Sequence, residues 1–241
     1  MNASIIIAII GIIALITLVL MGVHIAVALG SVGFFGLVAC MGVDRAISMV
    51  GMQAYTGIAT FDYAVIPLFI LMGMLATGIG ISTECYDTLA KWLGKIPGGL
   101  GVATTLGCTA FGTLNGSALV TGSVFAKIAA PEMKRYGYDQ NLTYGLIAAS
   151  GNIGQFIPPS IMIVIFGALS GDSIGRLLMA AISPGLALAI GFSLFTVGTA
   201  IVRPKLFPRV TQNYTWKEKF ISLKDLIPIA IVAVVIIGGL F

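Results

Sequence analysis

The sequence predicts an all-α, polytopic integral membrane protein, and three observations predict it. First, of 241 residues 58% are hydrophobic and only 9% charged, with a mean hydropathy of +1.07. A soluble domain carries roughly 25% charged residues, so lipid must be the solvent for much of this chain. Second, the apolar residues fall into runs of helix length separated by short polar joints. Third, two of these runs are interrupted in their middle by residues that break helices.

The runs follow in order. Ser4–Met21 and Ile25–Met41 are joined tightly at Gly22-Val23-His24 and closed by Asp44 and Arg45. Residues 46–62 are mixed and read as an interfacial or arm segment. Ala64–Ile79 is a third apolar run. Ser82–Ile96 is amphipathic, with Tyr86, Leu89, Trp92 and Leu93 at helical spacing, the pattern of a helix lying along a membrane surface or other helices. After Pro97-Gly98-Gly99, Leu100–Ala130 exceeds the roughly 20 residues that span a bilayer. It carries Asn115-Gly116-Ser117 at its centre. Two short helices meeting there, as a re-entrant helical hairpin, fit better than one long helix. Pro131–Asn141 is polar and reads as a loop. Leu142–Ser170 is a transmembrane helix broken at Ser150-Gly151-Asn152 and Pro158-Pro159-Ser160, because two prolines remove two donors and disfavour helix before them. Ile174–Ile201 is a long span, Arg203–Lys224 a polar loop, and Leu226–Phe241 the start of another helix. Three regions follow: scaffold or arm helices with an interfacial amphipathic helix over 1–96, a region of re-entrant hairpin plus broken helix over 97–170, and a span, loop and incomplete helix over 171–241.

The net charge is +4, with no basic patch interleaved with aromatics, so nucleic acid is excluded as a partner and membrane lipid is the expected one. The Lys and Arg surplus is a topology signal. Arg203, Lys205, Arg209, Lys217, Lys219 and Lys224 share one loop, which is expected to be cytoplasmic. Counting back places Lys134 and Arg135 inside and the N-terminus outside. A hairpin over Leu100–Ala130 also keeps Lys91 and Lys95 inside.

Several chemistries find no support. Cys40, Cys85 and Cys108 have no CxxC spacing, which argues against zinc or a disulfide framework. No phosphate-binding G-x-x-x-x-G-K-[ST] run is present. No acid falls inside an apolar run, whereas proton relays use intramembrane carboxylates or His. A serine nucleophile at Ser117 or Ser160 would need a base, and His24 is the only histidine. No cofactor and no enzymatic activity are expected.

Non-helical backbone at membrane depth is tolerated only where it is buried or lines a cavity. The two interruptions therefore hold the candidate site residues: Thr113, Asn115, Gly116, Ser117 and Thr121 in the first, and Ser150, Asn152, Gly154, Pro158, Pro159 and Ser160 in the second. They offer carbonyls, hydroxyls and amides, which suit a small alkali cation. Half-helix N-termini would attract a carboxylate. Carriers build midplane sites from this combination. For any single Gly, Ser or Ala, close helix packing is the competing reading. At the level of the whole chain, the competing readings are a non-transporting scaffold or channel-like subunit and, more remotely, an intramembrane hydrolase.

The stretch Phe111–Arg176 resembles the large membrane subunit of the TRAP transporters, the tripartite ATP-independent periplasmic family. The resemblance rests on Asn115-Gly116-Ser117-Ala118, on Pro131-Glu132-Met133-Lys134-Arg135-Tyr136-Gly137-Tyr138-Asp139, and on Ser150-Gly151-Asn152-Ile153-Gly154-Gln155-Phe156-Ile157-Pro158-Pro159-Ser160. Gly22–Gly30 and Ile66–Gly73 extend it toward the start. Asn115, Thr121 and His24 depart from the residues usual in the family. The resemblance implies an elevator-type carrier repeat, one of two inverted repeats, in the bacterial inner membrane. It implies sodium-coupled import of organic anions, delivered by a periplasmic substrate-binding protein and supported by a small four-helix membrane subunit. It also implies a sodium site at the hairpin tip, for which Asn115, Ser117 and Gly154 are the expected ligands. The family's second repeat completes the site, so the chain is expected to be a fragment, a truncated gene or half of a split subunit, unable to transport alone.

Overall fold

The structure is a computed structural model that describes residues 3–208 and 214–239. The described residues form helices and turns without strands, and the helices separate into two units, residues 1–60 and 61–241. Arg209 of the basic loop and the last residues of the final apolar run, 240–241, lie outside the described residues.

The first unit is α1 (Ala3–Leu20), α2 (Ile25–Met41) and α3 (Val43–Ile58). Gly22 and Gly42 turn the chain with φ of 83° and 86°. α1 and α2 pack as a hairpin. Ile10, Ile12, Ile13, Leu20, Val27 and Phe35 nevertheless stay exposed. A water-soluble unit does not present such a continuous apolar surface. The mixed segment 46–62 is helical as far as Ile58.

The second unit is built around one buried helix, α6 (Gly99–Asn115), of which no residue is exposed. Its partners are α4 (Val65–Gly78), α5 (Ile81–Leu93), α7 (Ala118–Arg135), α8 (Gln140–Gly154), α10 (Ile174–Val202) and α12 (Ile227–Gly239). Close approach is possible because α6 puts hydrogen where its neighbours pass. A Cβ on Gly101 would sit 2.8 Å from Thr196, and one on Gly107 2.7 Å from Phe125. Small residues allow this packing where no hydrophobic force draws helices together in lipid. Phe125 is the hub of the aromatic core, with Phe111 and Tyr86 rings at 6.0 and 6.2 Å.

α9 (Ile161–Ser170) follows α8 after a break and leads into α10, which continues through Pro184. α10 is long and apolar enough to cross a membrane. α4 and α5 pass the same test only as a pair bent by 63°, and Ile5–Leu20, Ile25–Met41 and Ile161–Ser170 are shorter apolar helices.

Three expectations are corrected. Pro131–Asn141 is a loop only over 136–139: α7 runs through Pro131 to Arg135, and α8 starts at Gln140. Met133 is fully buried, its sulfur 3.6 Å from the Thr104 hydroxyl, which donates to the Leu100 carbonyl at 2.8 Å, so tertiary packing holds the last turn despite the missing proline N–H. The second interruption is shorter than expected. Ser150, Gly151 and Asn152 are helical, and the break covers 155–160. Arg203–Lys224 is not wholly a loop, because it contains α11 (Trp216–Ser222). A capping box starts this helix: Glu218 N–H donates to Thr215 Oγ1 at 3.3 Å, and Thr215 N–H to Glu218 Oε2 at 2.7 Å. α11 docks on α5 through Trp92 Nε1, which donates to the Lys219 carbonyl at 3.0 Å.

Candidate functional site

Asn115 ends α6 because Gly116 follows in the left-handed region, φ 62°, where glycine is at ease. Ser117 is extended and caps α7, its hydroxyl accepting from Val120 N–H at 3.5 Å. The second interruption repeats this ending. Ser160, with nearly the same backbone angles as Ser117, caps α9 through Ile163 N–H at 3.4 Å. Pro158 and Pro159 lie buried before it.

The two interruptions meet. Ile161 N–H donates to the Gly116 carbonyl at 3.3 Å, and a Cβ on Gly116 would lie 2.6 Å from the Pro159 carbonyl oxygen. Behind this contact the ends of α6 and α8 also touch: a Cβ on Gly154 would lie 2.6 Å from the Cys108 carbonyl oxygen, and one on Gly112 would overlap the Gly154 backbone. Two helix C-termini and two helix N-termini therefore converge on one buried place. The C-terminal turns carry carbonyls without helical partners, and the N-terminal turns carry unpaired N–H groups.

Asn115 braces the tip. Its side chain, 2% exposed, accepts from Ser117 N–H at 2.7 Å and donates to the Phe111 carbonyl at 3.3 Å. Thr121, fully buried, closes a two-point contact with the same amide at 3.0 and 3.2 Å. Both lone-pair directions of Asn115 Oδ1 are thus engaged. Because Ser117 N–H turns to this side chain, it is not available to the Thr113 carbonyl four residues back. Oxygens offered to a cation are then main-chain carbonyls of Thr113, Leu114 and Asn115, and of the last turn of α8. This is a neutral, hard-oxygen set. Among the described residues no three His, Cys, Asp or Glu side chains cluster, so the donor set suits a monovalent alkali ion better than a divalent metal.

The remaining candidates lie at different distances from the tip. Thr113 bonds back to the Ala110 carbonyl at 2.6 Å. Ser150 is buried a turn deeper, its hydroxyl 3.1 Å from that of Thr105. Asn152 is exposed, bonds to the Ala148 carbonyl at 2.9 Å, and lines an open groove of about 450 Å³ between α7 and α8 with Ala118, Leu119, Gly122 and Tyr144. Gly116, Ser117, Pro159 and Ser160 are therefore brought together, with Asn115 and Thr121 supporting them. Ser150 and Asn152 stand apart.

Sequence reasoning missed the residues that hold the tip from outside. A Cβ on Gly73 of α4 would overlap Asn115 Cβ, and one on Gly185 of α10 would lie 3.0 Å from Ile157 in the break. Thr105 anchors Ser150. A glycine or threonine in an apolar run carries no signal of its partner, so only the run's excess of small residues pointed this way.

The sequence profile of the family described as "Tripartite ATP-independent periplasmic transporter, DctM component" matches residues 12–241. The chain belongs to this family. It is similar to the ectoine TRAP transporter large permease protein TeaC of Halomonas elongata, at 31% identity over 94% of this chain and 52% of that protein. It is similar also to the C4-dicarboxylate TRAP transporter large permease protein DctM of Rhodobacter capsulatus, at 30% identity over 94% and 54%. The sialic acid TRAP transporter large permease protein SiaM of Vibrio cholerae matches at 31% identity over 81% and 45%. The chain spans about half the length of the curated relatives it matches. As a DctM-family chain it is a polytopic membrane protein, which accounts for the exposed apolar faces of α1, α2 and α10.

Proposed function

We propose that this DctM-family chain is the first of two repeats of the large membrane subunit of a sodium-coupled importer, and that the α6–α7 tip with the α8–α9 break forms its half of an ion and substrate site. The observation that carries the proposal is the meeting of the two interruptions, with Gly116 C=O bonded to Ile161 N–H. Carbonyl ends of α6 and α8 hold the cation, with Asn115 and Gly154 contributing through their main chain; the Ser117 carbonyl already accepts from Thr121 N–H at 3.0 Å, so of Ser117 only the hydroxyl is left to offer. The N-terminal ends at Ser117 and Ser160 face an anion. The relatives are named for ectoine, C4-dicarboxylate and sialic acid, compounds that share a carboxylate, and an organic carboxylate is the substrate class proposed here.

The depth of the contact supports a re-entrant reading. α8 rises about 22 Å before the break and α9 continues about 15 Å beyond it, at 1.5 Å per residue. A tip that meets the break thus stops inside the span, as in carriers that rock one repeat against a fixed scaffold. The basic residues around α11 face the cytoplasm and the N-terminus faces the periplasm in this proposal. The partners are a periplasmic binding protein and a small four-helix membrane subunit in a bacterial inner membrane.

The test is a thermal-shift titration of the purified chain with sodium against potassium chloride. Sodium should raise the melting temperature where potassium does not, and Gly116→Ala should abolish the difference. Equal responses to both salts would overturn the sodium assignment. Uptake restored with this chain as the sole large subunit would overturn the half-site reading.

A further inference from the structure

The joint between α4 and α5 bends by 63°, at Ile79 and Gly80, the latter with φ 89°. The bend lifts the first turn of α5 away from α4 and opens a cavity of about 260 Å³ against the flank of α7. Thr77, Ser82, Thr83, Ser123 and Lys127 supply its polar lining, and Val124 and Ile128 its apolar side. No carboxylate lines it. Glu84 stands on the same turn of α5 but outside the lining.

Two observations there are unexplained by the hairpin contact. Lys127 is the one charged residue between Ser117 and Pro131; it is exposed on the flank of α7 and makes no ion pair among the described residues. Ser82 is 2% exposed, and its hydroxyl makes no hydrogen bond among the described residues. It lines the cavity. The adjacent main chain adds to this. Gly80 C=O accepts from Thr83 and Glu84 N–H, leaving the Ile81 and Ser82 amides at the positive end of α5. The Thr77 hydroxyl is committed to the Gly73 carbonyl at 2.8 Å.

We propose that this cavity binds a phosphate group, held by Lys127 and Ser82 and flanked by Thr83 and Ser123. The donors approach from α5 on one side and α7 on the other. A tetrahedral oxyanion presents oxygens to both. The phosphate belongs to a phospholipid headgroup, whose chains continue along Val124 and Ile128, or is free inorganic phosphate. The site shares no residue with the hairpin tip, so it stands apart from the sodium reading.

Native mass spectrometry of the delipidated full chain, in potassium buffer, tests it. The probes are phosphatidylglycerol and, separately, inorganic phosphate. One phosphatidylglycerol per chain is expected, with occupancy falling about tenfold in Lys127→Met, the scale of one lost charge-assisted contact, and recovering in Lys127→Arg. The same pattern with inorganic phosphate alone assigns the free anion. Equal occupancy of wild type and Lys127→Met by both probes, or no binding of either to wild type, overturns the proposal. Should Lys127→Met lose its helical circular dichroism, Ser82→Ala decides: reduced occupancy supports the site, and unchanged occupancy overturns it.

Discussion

Replacing Gly116 by alanine tests the contact on which the candidate site depends. Two costs add. An L-residue held at φ 62° loses about 1–2 kcal/mol relative to glycine. The new methyl would lie 2.6 Å from the Pro159 carbonyl oxygen and 3.2 Å from Ile161 N. The tip must then retreat, weakening the Ile161 N–H to Gly116 C=O bond, whose net worth is about 0.5–1.5 kcal/mol. The expected loss is about 2–3 kcal/mol from these terms together. Gly171 provides the control. It also has positive φ, 74°, and a Cβ there meets nothing within 4 Å, so Gly171→Ala carries only the conformational cost. Unfolding by SDS titration in mixed micelles, followed by far-ultraviolet circular dichroism, measures both. Gly116→Ala should be the less stable by about 1 kcal/mol, the part due to the lost contact. Equal losses would mean that the hairpin tip does not press on the helix break, and the site argument would fail with it.

Three more outcomes are expected. Thr105→Val strands the Ser150 hydroxyl in a dry core and should cost about 1–3 kcal/mol; Ser150→Ala should cost less, because Thr105 keeps its 3.1 Å bond to the Gly101 carbonyl, and the same SDS titration compares them. Maleimide in mild detergent should label Cys40 and spare buried Cys85 and Cys108, with all three reacting in SDS; mass spectrometry of the adducts reads the count. Hydrogen bonds from the Thr215 N–H and hydroxyl hold Glu218 below the usual glutamate pKa. A carboxyl depressed on folding stabilises above its unfolded pKa and loses that effect as pH falls through the folded one, so amide-exchange protection of Trp216–Ser222 should be intact at neutral pH and decline below the ordinary glutamate range, while Thr215→Val should remove both the protection and its acid sensitivity.

The helices were legible wherever local chemistry decides. Ile25–Met41 emerges with the same limits in sequence and structure, because glycine joints and charges bound an unbroken apolar run. The turn at Asn115-Gly116 was legible for the same reason. The second interruption was legible only at its prolines. Ser150-Gly151-Asn152 looks like a break by composition, yet Thr105 bonds Ser150, and Gly151 admits the backbone of α7 at Gly122 and Ala118, so those polar and small residues serve helix packing. Pro131 misled in the opposite direction, since buried Met133 anchors the turn beyond it.

The sequence alone determined that lipid is the solvent, that two apolar runs must break, and which residues free the backbone at each break, because hydropathy, glycine and proline act on neighbours a few residues away. Only the tertiary structure decided that the breaks touch, that Asn115 spends its side chain on bracing the tip, and that Gly73, Gly112 and Gly185 make room for the assembly. Those facts depend on which helix passes beside which, and a side chain's distant partner leaves no mark on the residues around it in the chain.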